Sequence, residues 1–260
     1  LYRDYIDSYT MRQSIDDGVT LEIIYQGFTH NAEVEDKEGM DKKFEDVFSD
    51  YKIQERLQIL GFGSRDAYLD SEDTIREKAK SMIDHYVSQI FPGGFKAQII
   101  ANSRIAAVRY KRMIEDALKA KIEELGNNNP LSINIERLKK VRAAVVISGD
   151  RNDEIEIKQY TDTNYHKRSI KSFKLPFDGE DEEDPTIKGD VGIIIVNNML
   201  TTGFDAPIEQ VLYLDRVLVA HNLLQAITRP NRVGEEGKDF GFVVDYVGIG
   251  HHLKKAIDYY

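Results

Sequence analysis

Short, almost wholly apolar runs alternate with amphipathic stretches over the second two-thirds of the chain. The runs are KAQIIA (96–101), AAVVIS (143–148), VGIIIV (191–196), QVLYL (210–214) and FGFVVDY (240–246). Runs of this kind are typical of strands that are buried on both faces of a parallel sheet. Between them, residues 103–124 and 161–173 carry apolar side chains at helical spacing. The alternation predicts an α/β fold with a mostly parallel sheet flanked by helices.

The first third of the chain has a different pattern. Residues 19–25, VTLEIIY, predict one strand after the turn signal Asp17-Gly18. From about residue 33 to 91 the sequence is charged and has apolar positions at helical spacing, and Ser71-Glu-Asp-Thr-Ile is typical of a helix start. We therefore expect a mainly helical segment before the α/β part begins.

Composition narrows the class of protein. Hydrophobic residues make up 41% of the chain and charged residues 31%, which is typical of a soluble globular protein, and no apolar run approaches the ~20 residues that a membrane helix needs. The absence of cysteine excludes disulfides and zinc–thiolate sites in this chain and is compatible with a cytoplasmic location. The net charge of −10 argues against a generally basic nucleic-acid surface, but basic residues predominate locally between Lys96 and Lys121.

A polar loop follows the apolar run 191–196. It reads Asn-Asn-Met-Leu and then Thr201-Thr202-Gly203-Phe-Asp205. Ligands of open α/β sheets bind beyond the carboxyl ends of the strands, and we expect this loop to lie there. Its hydroxyl and N–H groups can contact phosphate oxygens, and Asp205 can accept hydrogen bonds from a ribose or an arginine. The alternative is an ordinary connection between a strand and the next element.

The stretch HNLLQAITRPNRV, residues 221–233, places three polar side chains at helical spacing. Arg229 follows Gln225 by four residues and Arg232 follows Arg229 by three, so all three would share one side of a helix. Arginine presents a planar fork of donors that suits phosphate groups. A solvated helix face is the alternative explanation.

Taken together, these stretches resemble a known superfamily. Strand–TTGFDAP, VLYLDR and QAITRPNR resemble motifs V and VI of superfamily 2 helicases and translocases, and KAQIIANSRIAAVRYKRMIEDAL resembles motif IV with its following helix. The order and spacing agree over residues 96–246. Within that superfamily the chain most resembles the restriction (R) subunit of type I restriction-modification enzymes, because of SRIAAVRYKRMIE, SGD, the long gap before IIIVNNMLTTGFDAP, and QAITRPNR followed by FVVDYVGI.

The resemblance implies a RecA-like fold of the P-loop NTPase type and a division of the chain. Residues 93–260 would be the second motor domain, residues 33–92 a helical insertion, and residues 1–32 a connector with a strand from the preceding motor domain. The chain has no GxxxxGK[ST] loop and no convincing Mg²⁺-binding acidic box. We therefore expect a fragment that is separated from the first motor domain and the nuclease domain.

The resemblance also implies site residues. Arg229 and Arg232 would be arginine fingers, exposed in the cleft between two motor domains, which stabilise charge on the γ-phosphoryl group of ATP. The family commonly has glycine where this chain has Thr228, and Pro230 requires the helix to be ending or kinked. The remaining implied contacts are Gln225, Gly203 and Asp205 for ATP, and Asn102, Ser103, Arg104, Thr201 and Thr202 for DNA phosphates. No metal site is expected in this chain, since ATP and Mg²⁺ would be bound mainly by the first motor domain.

The implied whole protein is a type I site-specific deoxyribonuclease with ATP-dependent translocase activity. Its partners would be double-stranded DNA and the methyltransferase and specificity subunits, with no membrane, and the fragment alone would be inactive. Two alternatives stay open at this point. One is another superfamily 2 DNA helicase or translocase, and the other is a non-catalytic α/β module that binds nucleic acid or a partner.

Overall fold

The computed structural model describes residues 17–18, 20–27, 69–200, 204–218, 220–233 and 237–248. The strands in these ranges are β1 (Glu22–Gly27), β2 (Lys96–Ala101), β3 (Arg142–Val146), β4 (Val191–Val196), β5 (Glu209–Asp215) and β6 (Phe240–Asp245). The helices are α1 (Glu72–His85), α2 (Arg104–Asn127), α3 (Ile135–Leu138), α4 (Ile155–Lys158), α5 (Thr163–Lys174) and α6 (Ala220–Ile227). A π-helical turn, Tyr86–Ile90, and a 3-10 turn, Phe91–Gly93, continue α1.

Within the described ranges, six strands form one sheet in the order β1-β6-β5-β2-β4-β3. Every neighbouring pair is parallel. All residues of β2, β4 and β5 are buried, as expected for central strands that are covered on both faces. The predicted α/β fold with a parallel sheet flanked by helices is confirmed.

Alternating side chains of the strands supply two separate hydrophobic cores. In β2, Ala97 and Ile99 face the core that α1 and α2 cover, while Ile100 faces the core that α5 and α6 cover. The other central strands follow the same two-residue period, so each face of the sheet packs against its own layer of helices.

Local sequence signals explain where the helices begin and end. The predicted helix start at Ser71 is confirmed, because the Ser71 side chain accepts a hydrogen bond from the N–H of Thr74 and caps α1. Ser103 caps α2 in the same way through the N–H of Ala106. Helix α6 ends at Ile227, before Pro230, whose ring cannot continue a helix.

The described parts of the first third belong to the same sheet and core as the α/β part. Strand β1 pairs with β6 along its whole length, and α1 buries Ile75, Ala79 and Met82 against the sheet. Strand 22–27 and helix 72–85 were expected in a connector and an insertion, whereas the structure places both against the predicted domain 93–260. The domain boundaries themselves stay a prediction.

No helix in the described part of the chain is long and apolar enough to cross a membrane. In the same ranges, no group of three or more His, Asp or Glu side chains could hold a metal ion.

Candidate functional site

The predicted site residues lie at opposite ends of the strands. We call the side of the sheet where the strands end the carboxyl edge and the side where they begin the amino edge. Because all strands are parallel, their carboxyl ends share one edge, and Asn102, Ser103 and Arg104 lie there, directly after β2. The arginine segment lies at the other edge: Arg232 forms a backbone bridge with Thr20, just before β1. The structure therefore separates the residues implied for DNA contact from the arginine segment implied for ATP contact.

The loop between β4 and β5 passes from one edge of the sheet to the other. It leaves the carboxyl end of β4 and reaches the amino end of β5, where Ala206 accepts a backbone hydrogen bond from Glu209 at 2.9 Å. Asp205 thus lies near the amino edge, away from the carboxyl edge where we expected it. Thr201, Thr202 and Gly203 lie outside the described residues.

Arg229 is packed inside the domain. Its side chain is 5% exposed, Nη1 donates to the carbonyl oxygen of Phe204, and the guanidinium lies 5.8 Å from the centre of the Phe204 ring. Nε is buried without a hydrogen-bond partner among the described residues. The prediction that Arg229 is exposed in a cleft is wrong, because the loop before β5 covers it.

Arg232 points outward and pairs with Asp205. Its Nη1 lies 2.5 Å from Asp205 Oδ1, and the two side chains are 43% and 60% exposed. Since α6 ends at Ile227, neither Arg229 nor Arg232 is on the helix, and the prediction that both share one helix side with Gln225 is wrong. Both arginines lie in the turn that follows. Gln225 lies on the last turn of α6, where its backbone carbonyl accepts a hydrogen bond from the Thr228 hydroxyl at 3.2 Å.

The turn that carries the arginines is held against β6 and the residues before β1. The N–H of Leu21 donates to the carbonyl of Asn231 at 2.7 Å. A Cβ at Gly241 would lie 2.3 Å from the Pro230 carbonyl oxygen, so only glycine in β6 permits this approach. Asn231 is fully buried, and neither polar atom of its side chain has a hydrogen-bond partner within the described ranges. Backbone contacts therefore fix where Arg232 projects.

A buried acid, Glu209, lies near Arg229, and a buried base, Lys238, lies near that acid. Burial raises the pKa of Glu209 to about 8, although Arg229 and Lys238 oppose that shift. Burial also lowers the pKa of Arg229, and the nearby Glu209 opposes it. Lys238 Nζ donates to the carbonyls of Pro207 and Glu209, both at 2.7 Å. Neither Glu209 nor Lys238 was predicted from the sequence. Glu209 could have been noticed, because a charged residue there begins an otherwise apolar strand.

At the carboxyl edge, the described residues predicted to contact DNA already have protein partners. Asn102 Nδ2 donates to Asp70 Oδ1 at 3.1 Å, and Ser103 caps α2. Arg104 Nη1 lies 2.6 Å from Asp153 Oδ1, and Asp153 is buried. Arg104 borders an open groove of about 740 Å³ between α2 and residues 152–160. Both acidic and basic side chains line this groove.

Other basic residues on α2 serve packing. Arg112 Nη2 lies 2.5 Å from Glu72 Oε1, and Arg109 Nη1 donates to the Asp70 carbonyl. Both contacts tie α2 to the start of α1. The local excess of basic residues between Lys96 and Lys121 is therefore partly used within the protein.

Comparison with known proteins gives relatives that match 98% of the chain and family models that match two parts of it. A family model described as type I restriction enzyme subunit R domain 3 matches residues 93–248, and one described as SWI2/SNF2 ATPase matches residues 1–57. A Methanocaldococcus jannaschii protein, named as the MjaVIIIP type I restriction enzyme endonuclease subunit, is 30% identical over 98% of this chain and 24% of its own length. The type I restriction enzyme HindI endonuclease subunit of Haemophilus influenzae is 28% identical over 98% of this chain and 22% of its own.

A solved structure supports the fold. It is a fragment named as an HsdR subunit of a type I restriction enzyme from Vibrio vulnificus YJ016, with a TM-score of 0.55, 18% sequence identity, and coverage of 97% of this chain and 37% of that chain. The chain spans about a quarter of the length of the two curated relatives.

Proposed function

The chain belongs to the family of type I restriction enzyme R subunits, by its match to domain 3 over residues 93–248, and on that premise we propose that it works as the second motor domain of an ATP-driven DNA translocase. The whole subunit would pull duplex DNA and cut it with a separate nuclease domain. Methyltransferase and specificity subunits would be its partners in the restriction complex.

The observation that carries the proposal is the meeting of two separate segments at the amino edge. Arg232 pairs with Asp205, 27 residues earlier in the sequence, and Arg229 binds the adjacent Phe204 carbonyl. Both segments are ones that the resemblance to helicase motifs V and VI assigns to ATP contact. Their pairing leaves a guanidinium and a carboxylate partly exposed side by side, which supports a nucleotide-facing surface.

We assign different tasks to the two arginines. Arg232 is the arginine finger: its exposed planar fork can leave Asp205 and stabilise the charge that develops on a γ-phosphoryl group. Arg229 holds the Phe204–Asp205 segment in place and would have to leave Phe204 to reach a phosphate. Asp205, Gln225 and Gly203 keep their proposed part in ATP binding. ATP with Mg²⁺, bound mainly by the first motor domain, would supply the phosphoryl group that is transferred to water.

The residues at the carboxyl edge would contact the phosphate backbone of DNA. Asn102, Ser103 and Arg104, with Thr201 and Thr202, would contact phosphates of one strand. Phosphate contacts carry no sequence information, which suits a motor that moves along any sequence. Few cations are involved, so binding by this chain should be weak, with a gentle dependence on salt.

The test of the proposal is ATP hydrolysis by a whole R subunit that carries this sequence. Arg232→Ala should lower the DNA-stimulated rate by about 10³–10⁵, the range for loss of an arginine finger, and Arg232→Lys should not restore it. The matched control is Arg112→Ala, which removes a surface arginine paired with Glu72 and should be mild. This chain alone should not hydrolyse ATP, since it has no P-loop.

Wild-type rates in Arg232→Ala would exclude Arg232 as the finger. Robust DNA-stimulated hydrolysis by this chain alone would show that it does not need a first motor domain.

A further inference from the structure

Arg216 reaches across the carboxyl edge of the sheet from one strand end to another. It directly follows β5, and its Nη1 donates to the Asn197 carbonyl at 3.2 Å and to Asn198 Oδ1. The two asparagines directly follow β4, and β2 lies between β5 and β4 in the sheet. Two neutral acceptors therefore hold the guanidinium of Arg216 across the end of β2.

Asn197 also joins Arg216 to the proposed DNA-contacting segment after β2. The Asn197 side chain is 7% exposed, and its Nδ2 donates to the carbonyl oxygens of Ala101 and Asn102, both at 2.9 Å. One buried residue thus binds both the guanidinium of Arg216 and the start of segment 102–104. Their relative position is fixed by contacts within the domain.

The charge of Arg216 is not offset by an acid of the domain. Among the described residues, Arg216 forms no ion pair with a carboxylate, although its guanidinium is charged at every physiological pH. The neighbouring Asp215 is already paired, since Lys78 Nζ lies 2.5 Å from its Oδ1. Arg104 at the same edge is paired with Asp153. An anion can therefore bind Arg216 without first breaking an ion pair.

Part of the planar fork of Arg216 is available to such an anion. Both of its hydrogen bonds come from Nη1, so Nε and Nη2 donate to no residue in the described part of the chain. The side chain is half-buried, which keeps it in place and still leaves it accessible. Neighbouring donors on a guanidinium match two oxygens of one phosphate group.

We propose that Arg216 binds a phosphate of the DNA backbone beside segment 102–104, through Nε and Nη2. Asn197 and Asn198 are the positioning residues that hold its guanidinium. The cation supplies charge where Asn102 and Ser103 supply only neutral groups, and it grips any DNA sequence. This assignment rests on the proposed function, because it takes DNA as the ligand of the carboxyl edge.

The test is DNA binding by a whole R subunit that carries this sequence, measured with a labelled duplex over a range of salt concentrations. Arg216→Gln removes the charge, whereas Arg216→Lys keeps it. Asn198→Asp keeps the size and an acceptor for Nη1, but gives Arg216 the acidic partner that it lacks. Matched controls make the same changes in charge elsewhere: Arg112→Gln, whose arginine is paired with Glu72, and Asn127→Asp at the exposed end of α2.

We expect the slope of log affinity against log salt to become shallower by about 0.9 in Arg216→Gln and Asn198→Asp, because one fewer phosphate is neutralised. Both variants should bind at least about tenfold more weakly at low salt, the scale of one lost hydrogen bond to a charged group. Arg216→Lys and the two controls should keep the wild-type slope. If Arg216 only joined the strand ends, Arg216→Lys and Arg216→Gln would lose affinity alike at an unchanged slope.

A wild-type slope in Arg216→Gln overturns the proposal, and so does an equal change of slope in the controls. If Arg216→Gln does not fold, Asn198→Asp decides, because it keeps the contact with Nη1: a wild-type slope overturns the phosphate contact, and a slope shallower by about 0.9 supports it. A wild-type R subunit without DNA-stimulated ATPase rejects the proposed function instead. The two failures are therefore distinguishable.

Discussion

Arg229→Ala should destabilise the domain, because the structure buries the side chain that the sequence placed in a cleft. The substitution removes the hydrogen bond to the Phe204 carbonyl and the cation–π contact of the guanidinium with the Phe204 ring. It also removes a charge that partly offsets the burial of Glu209. The segment that carries Asp205 would then lose the contact that Arg229 makes with it from the arginine turn.

The expected decrease in the free energy of unfolding follows from these contacts. A buried carbonyl left without its donor costs about 1–3 kcal/mol, and a cation–π contact contributes about 0.5–2 kcal/mol. The two together give about 1.5–5 kcal/mol. For a domain of this size, that lowers the melting temperature by about 3–20 °C.

The neighbouring Arg232→Ala is the control within the same turn. Its bridge to Asp205 is largely exposed, and such bridges contribute about 0–1 kcal/mol. Thermal unfolding and urea titration of both variants and wild type measure the difference. If Arg229→Ala unfolds at the same temperature as Arg232→Ala, the anchoring role of Arg229 is wrong, and its burial contributes nothing to stability.

Three further predictions concern charged groups. Burial raises the pKa of Glu209 from 4.5 to about 8, so between these pH values the folded state keeps a proton that the unfolded state releases, and stability falls as pH rises. Glu209→Gln should flatten that fall when the free energy of unfolding is measured by urea titration across pH. An unchanged profile would contradict the assignment. Lys78→Met leaves Asp215 buried without its cation and should cost about 3–5 kcal/mol. Lys78 lowers the pKa of Asp215, which is about 6 with that partner present, so the variant holds the Asp215 proton at a higher pH. The cost should therefore shrink as pH falls toward about 6 and stay constant below it, and a pH-independent cost would refute it. Arg104→Ala should lower the salt slope of DNA binding by about 0.9 while Arg104→Lys keeps it, and an unchanged slope in the alanine variant would exclude a phosphate contact.

The sheet was predictable from the sequence because its central strands are covered on both faces. Strands 96–101 and 191–196 match the predicted bounds residue for residue, since a polar asparagine directly follows each apolar run. Pro230 predicted that the helix is ending or kinked there, and α6 does end, at Ile227, before both arginines.

The surroundings of the arginines were not predictable. Helical spacing shows which residues would share one side of a helix. It shows neither that the helix ends at Ile227, before both arginines, nor which distant loop covers a side chain. Arg229 is covered by Phe204, which is 25 residues away in sequence. In the same way, a parallel sheet requires the connection between β4 and β5 to cross to the amino ends of the strands, but the local pattern does not show at which residue it has crossed. Such contacts depend on the path of the chain rather than on local pattern.

The pairing of β1 with β6 and the packing of α1 have a practical consequence for expressing this domain. The family match begins at residue 93, yet α1 supplies Ile75, Met82 and Ile83 to the core, all fully buried. A polypeptide cut at residue 93 would expose that apolar surface and leave β6 as an unpaired sheet edge, a template for association with other chains. Recombinant versions that begin before β1 should stay monodisperse, whereas versions trimmed to the family boundary should aggregate.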